Sequence, residues 1–99
     1  MITYRRTFSI CNGKDKEATD YLVELVNWIN VHYPGHDAHV LINVHGSAHQ
    51  LHFIGSYESL AEMEASFQRA DADPDWLALA ARGEGLLENH EVTIYRRVS

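Results

Sequence analysis

The chain has 99 residues, which is enough for one domain over residues 1–99 and too few for two. Apolar residues make up 45% and charged residues 22%, a balance typical of a globular protein and not of a disordered one. The formal charge of −6 argues against binding to nucleic acid or to an anionic membrane surface, and no apolar run is long enough to span a bilayer. The single cysteine, Cys11, fits a reducing compartment, so we expect a cytoplasmic protein.

The first third of the chain predicts a strand followed by a helix. Apolar residues alternate with polar ones over residues 2–10, which is the period of a strand with one apolar face. From about Lys16 to Tyr33 the period becomes helical. The predicted apolar stripe of this helix consists of Ala18, Tyr21, Leu22, Leu25, Val26 and Ile29. Pro34 ends the helix, because proline lacks the backbone N–H and disfavours a helical residue before it.

The middle of the chain predicts a β-hairpin. Residues 38–44 and 51–57 alternate between apolar and polar, and residues 46–49 form the connecting loop. We expect a register that places Asn43 directly opposite His52. This register sets apolar residues opposite each other on one face of the hairpin and gathers the polar residues on the other face.

The last part of the chain predicts an interrupted helix and a final strand. Ser59 and Glu62 match a capping box at the start of the helix. Its apolar side is carried by Leu60, Met63 and Phe67, and then by Trp76, Leu77, Ala80, Leu86 and Leu87. Residues 71–75 interrupt the helix, and Pro74 fits the first turn of a renewed one. Residues 91–98 predict a strand with Tyr95 and Arg97 on one face.

The order of these elements is β-α-β-β-α-β, which predicts a ferredoxin-like α+β fold with a four-stranded antiparallel sheet. Right-handed crossovers place both helices on one face of the sheet. The opposite face is then left open, with Leu41 and Ile54 near its middle. Because an open, partly apolar face favours a partner, we expect a homodimer.

Residues 56–79, SYESLAEMEASFQRADADPDWLAL, resemble the NIPSNAP-type and related stress-responsive members of the dimeric α/β-barrel superfamily. The resemblance implies that two sheets face each other across a two-fold axis and close a barrel. Its families include cofactor-free monooxygenases, haem-degrading enzymes and dehydratases. No histidine occurs in residues 59–88, where haem-degrading relatives have their axial ligand, so we expect no cofactor.

Several polar side chains fall on the open face. His52 is the candidate catalytic base, because imidazole accepts protons near neutral pH, and Asn43 is its orienting neighbour. Arg5 and Arg97 lie on neighbouring strands, where two guanidinium groups could hold a carboxylate or a phosphate. The full set of candidate ligand-binding residues is Arg5, Thr7, His39, His45, Tyr95 and Arg97.

The same residues also have structural interpretations. The histidines could be hydrogen-bonded across a dimer, and the arginines could pair with acidic residues of the partner subunit, or with Glu91 and the acidic second helix. His36 and His39, like His49 and His52, are three residues apart, which on a strand points the two side chains to opposite faces. We therefore expect no metal site.

Two functions are compatible with this sequence. In the first, the barrel interior binds a small aromatic or anionic organic molecule, and the resemblance then implies cofactor-free oxygenation or proton transfer. In the second, the chain is a non-catalytic dimeric module in which the open face is entirely buried as dimer contact and no pocket remains.

Overall fold

All the predicted strands and helices are present, although the limits of several differ from the prediction. The computed structural model describes all residues, 1–99. In chain order the elements are β1 (Ile2–Ile10), α1 (Asp15–His32), β2 (His39–Ile42), β3 (Gln50–Tyr57), α2 (Leu60–Asp71), α3 (Pro74–Ala81) and β4 (Leu87–Arg96). The strands form one antiparallel sheet in the order β2-β3-β1-β4. This is the predicted ferredoxin-like α+β fold. None of the helices combines the length and the apolar character needed to cross a membrane.

The core lies between the helices and one face of the sheet. All six residues of the predicted stripe on α1 are buried, and Leu22 is completely so. They pack with Leu51 of β3 and Leu79 of α3. A second, smaller cluster joins the start of β1 and the end of β3 to α2 through Met63. The opposite side of the sheet, here called the open face, carries Arg5, Thr7, His52, Ile54, Leu41 and Tyr95.

The interruption of the second helical segment is confirmed. The Ser59 hydroxyl accepts a hydrogen bond from the Glu62 N–H at 3.2 Å and caps α2. Asp73 caps α3 by accepting from the Asp75 N–H at 3.0 Å, with Pro74 at the first position of the helix. Leu60 was expected on the apolar side but is exposed, because α2 packs on the sheet through Met63 and Ser66.

The limits of the last strand differ from the prediction. Leu87 belongs to β4, where it pairs with Ile10 of β1, and does not extend the apolar stripe of a helix. β4 ends at Arg96, and Val98 lies exposed beyond it. The strand begins four residues before the predicted start at residue 91, and its pairing with β1 is interrupted by a bulge between Thr7 and Phe8.

The predicted register of the hairpin is wrong by two residues. Leu41, and not Asn43, lies opposite His52. Since side chains alternate with a period of two, this shift leaves every strand residue on its predicted face. The cause is a longer loop over residues 43–49, in which Gly46 and His49 have φ of 104° and 57°. Val44 was expected on the apolar side of β2 but lies exposed in this loop.

Candidate functional site

A hydrogen-bonded network on the open face joins three of the predicted site residues. His52 Nδ1 is 2.9 Å from the Thr7 hydroxyl oxygen, and His52 Nε2 is 2.6 Å from Asn43 Oδ1. The Asn43 amide group donates to the Ser47 carbonyl at 2.8 Å, which turns Oδ1 toward His52. The network therefore assigns the proton of the neutral ring to Nε2, and Nδ1 accepts from the Thr7 hydroxyl. Asn43 orients His52, although the two do not lie directly opposite each other.

A second group on the open face surrounds Arg5. Its Nη2 donates to Glu91 Oε1 at 3.1 Å and lies 3.4 Å from the Thr93 hydroxyl. Its guanidinium carbon is 5.6 Å from the centre of the Tyr95 ring, close enough for a cation–π contact. The structure thus brings Arg5 and Tyr95 together, and Glu91 of the same chain already neutralises the arginine.

The remaining predicted site residues lie apart from these two groups. His39 bonds to the Asp37 carbonyl at 2.8 Å, and His45 is exposed in the loop after β2. The Arg97 N–H bonds to the Met1 carbonyl, which places Arg97 about 13 Å along the strand from the position opposite Arg5. Arg5 and Arg97 are therefore too far apart to bind one anion together.

The ring of His52 is half-buried, and the resulting desolvation is the main cause that lowers its pKa. The positive charge of Arg5 lowers the pKa further, whereas the negative charge of Glu91 acts in the opposite direction. The unfolded chain then binds a proton at higher pH than the folded protein does. The free energy of unfolding is therefore expected to fall as the pH drops below about 6.5, the ordinary histidine value.

Urea denaturation of the wild type and of His52→Gln between pH 5 and pH 8 measures this effect. We expect the variant to lose less stability on acidification than the wild type does. His45→Gln, in the exposed loop, is the control and should keep the wild-type dependence. An equal pH dependence in the wild type and His52→Gln would contradict the prediction.

A cavity of about 520 Å³ lies on the other side of the sheet, between the strands and the helices. We call it the helix-side cavity. Aromatic rings form much of its wall, among them those of Tyr4, Phe8, Phe53, Tyr57, Phe67 and Trp76. Several of these rings pack edge to face, as Tyr4 and Phe67 do with centres 5.0 Å apart. None of the site residues predicted from the sequence lines this cavity.

Arg6 is the one arginine or lysine in the wall of this cavity. It points to the helix side, as its place in the alternation predicts. β1 lies inside the sheet, and the guanidinium carbon is 6.0 Å from the ring centres of both Tyr4 and Phe8. Its Nε is shielded from solvent and has no hydrogen-bond partner, and no carboxylate lies within ion-pair distance of the side chain.

His36 is the second polar feature of the cavity wall, and its exposed fraction is only 6%. Its Nδ1 donates to the Ser56 carbonyl at 3.1 Å, and the Ser56 N–H donates to the His36 carbonyl at 2.7 Å. The ring also stacks on Tyr57 with centres 4.3 Å apart. Because Nδ1 must carry the proton to donate to a carbonyl, Nε2 holds a lone pair, and it has no hydrogen-bond partner in the chain.

The backbone around His36 is held in place by its neighbours. Asp37 has a φ of 46°, an uncommon value for a residue other than glycine, and Gly35 has a φ of 97°. The side-chain amide of Asn30 exchanges two hydrogen bonds with the backbone of Ala38, at 2.8 and 3.1 Å. These contacts fix the loop from both ends and so fix the imidazole against the cavity.

The cavity also contains a phenol that stays neutral. Burial raises the pKa of Tyr57 to about 12, so its hydroxyl remains protonated at physiological pH. Elsewhere in the chain, no three histidine, cysteine, aspartate or glutamate side chains come close enough together to hold a metal ion. The polar groups in the cavity wall are a guanidinium, an imidazole, hydroxyls, the amide of Asn89 and the carboxylates of Asp71 and Glu84.

The sheet order, the helices on one face and the cavity beneath them define a ferredoxin-like α+β protein with a pocket between the sheet and the helices. The family model NIPSNAP matches residues 5–99. The chain belongs to the NIPSNAP family. No curated protein matches it in sequence.

Solved structures with a similar fold include two further proteins described as NIPSNAP. One is an uncharacterized NIPSNAP domain protein from Burkholderia xenovorans, with 24% identity, a TM-score of 0.83, and coverage of 100% of this chain and 96% of that chain. The other is a NIPSNAP family protein from Agrobacterium tumefaciens, with 23% identity, a TM-score of 0.82, and coverage of 96% and 90%. SnoaB, a cofactor-independent oxygenase from Streptomyces nogalater, has 17% identity, a TM-score of 0.73, and coverage of 99% and 93%.

Proposed function

We propose that this NIPSNAP-family protein binds a small aromatic organic molecule in the helix-side cavity. The observation that carries the proposal is the cavity itself, whose volume of about 520 Å³ falls within the usual range for ligand pockets. The cavity is partly open to solvent, so a small molecule can reach it, and most of the residues in its wall are hydrophobic, as is usual for ligand pockets. A ligand whose aromatic rings pack edge to face against the rings of the wall would fill the cavity best.

The chemistry proposed for the bound molecule is proton transfer or cofactor-free oxygenation. The similar fold of a protein described as a cofactor-independent oxygenase supports this choice. Two imidazoles are candidates to accept a proton: His36, whose Nε2 is unpartnered at the cavity, and His52 on the open face. His52 would first have to release the Thr7 hydroxyl. A His52→Ala variant that keeps full turnover of an identified substrate would remove His52 from that role.

The open face is proposed to be the contact between two chains of a homodimer. No helix covers this side of the sheet, and Leu41 and Tyr95 are both about half exposed there, at 47% and 43%. The alternative function, a dimeric module without catalysis, would use the same contact. The lone cysteine supports a cytoplasmic location for either.

Filling the helix-side cavity tests the binding function. Ala70 lies in the cavity wall near the end of α2, whereas Ala61 lies exposed near the start of the same helix. The neutral fluorophore N-phenyl-1-naphthylamine, which brightens in apolar surroundings, serves as the probe. We expect saturable binding to the wild type, weakening of about tenfold or more in Ala70→Trp, and unchanged binding in the matched control Ala61→Trp.

Circular dichroism of both variants would verify that the helices are retained. Absence of probe binding to the wild type would contradict the proposed function. So would equal affinities in Ala70→Trp and Ala61→Trp, because the probe would then bind elsewhere on the protein.

A further inference from the structure

Arg6 carries a charge that nothing in the chain neutralises. Its Nε is shielded from solvent and has no hydrogen-bond acceptor, and its guanidinium carbon lies 6.0 Å from the ring centres of Tyr4 and Phe8. Burying a guanidinium nitrogen without an acceptor costs free energy, whereas charged groups in protein interiors are normally paired. Cation–π contacts at 6.0 Å compensate only in part.

Arg5, the residue before Arg6 in β1, is an arginine that has an ion-pair partner. Arg5, on the opposite face of the same strand, also has a sealed and unpartnered Nε, but its Nη2 bonds to Glu91 and lies near Thr93. Arg6 has no such hydrogen bond at any nitrogen. One arginine of the pair is therefore satisfied within the chain, and the one in the cavity wall is not.

We propose that the molecule bound in the helix-side cavity is an aromatic acid, and that Arg6 binds its carboxylate. This inference rests on the proposed function and names the class of ligand for that site. A carboxylate fits the two terminal nitrogens of a planar guanidinium with two parallel hydrogen bonds. The ring system of the acid then lies among the aromatic walls, where Phe53 stands directly opposite Arg6 across the β1–β3 pair.

The charges at the cavity restrict the ligand to one negative group. Asp71 at the end of α2 and Glu84 after α3 also line the cavity, and both side chains are exposed. Their negative charges would repel a second anionic group on the ligand, but solvent screens the effect of these charges at the position of Arg6. A doubly charged phosphate would also lose more hydration free energy than a carboxylate on entering apolar surroundings. The site therefore favours a monoanion.

The test compares two ligands that differ in charge and hardly in shape: 2-naphthoate and its neutral isostere 2-naphthamide. Their affinities are measured by displacement of N-phenyl-1-naphthylamine from the wild type, Arg6→Met and Arg96→Met, the last at an exposed arginine outside the cavity wall. In the wild type we expect 2-naphthoate to bind about tenfold or more tightly than 2-naphthamide, since hydrogen bonds to charged groups are the stronger ones. This preference should disappear in Arg6→Met and persist in Arg96→Met.

Each outcome decides a different question. If the neutral fluorophore does not bind the wild type, the proposed function fails and the inference fails with it. If the fluorophore binds but 2-naphthoate has no advantage over 2-naphthamide, only the assignment of an acid is overturned. That comparison needs the wild type alone, so it stands even if Arg6→Met does not fold. A preference lost equally in Arg96→Met and Arg6→Met would overturn the assignment to Arg6.

Discussion

Leu41→Glu is expected to dissociate the proposed homodimer into monomers at micromolar concentration. Leu41 lies on the open face in β2, opposite His52, and is 47% exposed in the single chain. If two open faces pack together, each glutamate becomes a carboxylate moved from water into an interface, and two copies are introduced at once. Burying charges without partners costs several kcal/mol, roughly enough to weaken a micromolar dimer more than a hundredfold.

Sedimentation velocity over a range of concentrations measures this effect. Val31→Glu is the matched control, because Val31 is an exposed apolar residue on α1, away from the open face. We expect the control to sediment as the wild type does. A wild type that sediments as a monomer at micromolar concentration would contradict the proposed dimer. A dimeric Leu41→Glu variant would show that the contact lies on another surface.

Arg6→Met is expected to make the ligand-free protein more stable by about 1–3 kcal/mol. Replacing an unpaired, partly buried charge with an apolar side chain of similar length removes a desolvation cost. Arg5→Met is expected to lower stability slightly or leave it unchanged, because it breaks an ion pair with Glu91 that is partly exposed. Urea denaturation of the wild type and both variants without ligand measures the free energies of unfolding.

This comparison separates a binding role of Arg6 from a structural one. If the side chain stabilised the fold through its contacts with Tyr4 and Phe8, its removal would destabilise the protein. A loss of 1 kcal/mol or more in Arg6→Met would therefore contradict the prediction. A gain would fit the common trade-off in which a residue kept for function reduces stability.

Much of the fold was predictable, because periodicity records which side of an element is buried. The six apolar positions of α1 and the alternation in β1 fixed the helix face and the sheet face correctly. The hairpin register was not predictable to better than two residues. Both registers put the same side chains on the same face, and the choice depends on the conformation of the loop around Gly46.

The helix-side cavity could not be recognised from the pattern. Tyr4, Phe67 and Trp76 occupy apolar positions that would look the same in a filled core, and only their arrangement in space leaves room between them. One signal was present in the sequence. Arg6 interrupts the apolar side of β1, and a charge at the centre of an otherwise apolar strand face is where an internal anion site can be sought.

Consecutive residues of β1 face opposite sides of the sheet. Arg6 faces the proposed ligand, while Arg5 and Thr7 face the proposed partner subunit, so one strand belongs to both sites. If the aromatic acid changes the dissociation constant of the dimer by some factor, thermodynamic linkage requires that dimerisation change the affinity for the acid by the same factor. Titrating ligand at several protein concentrations would therefore measure the coupling between ligand binding and dimerisation without any substitution.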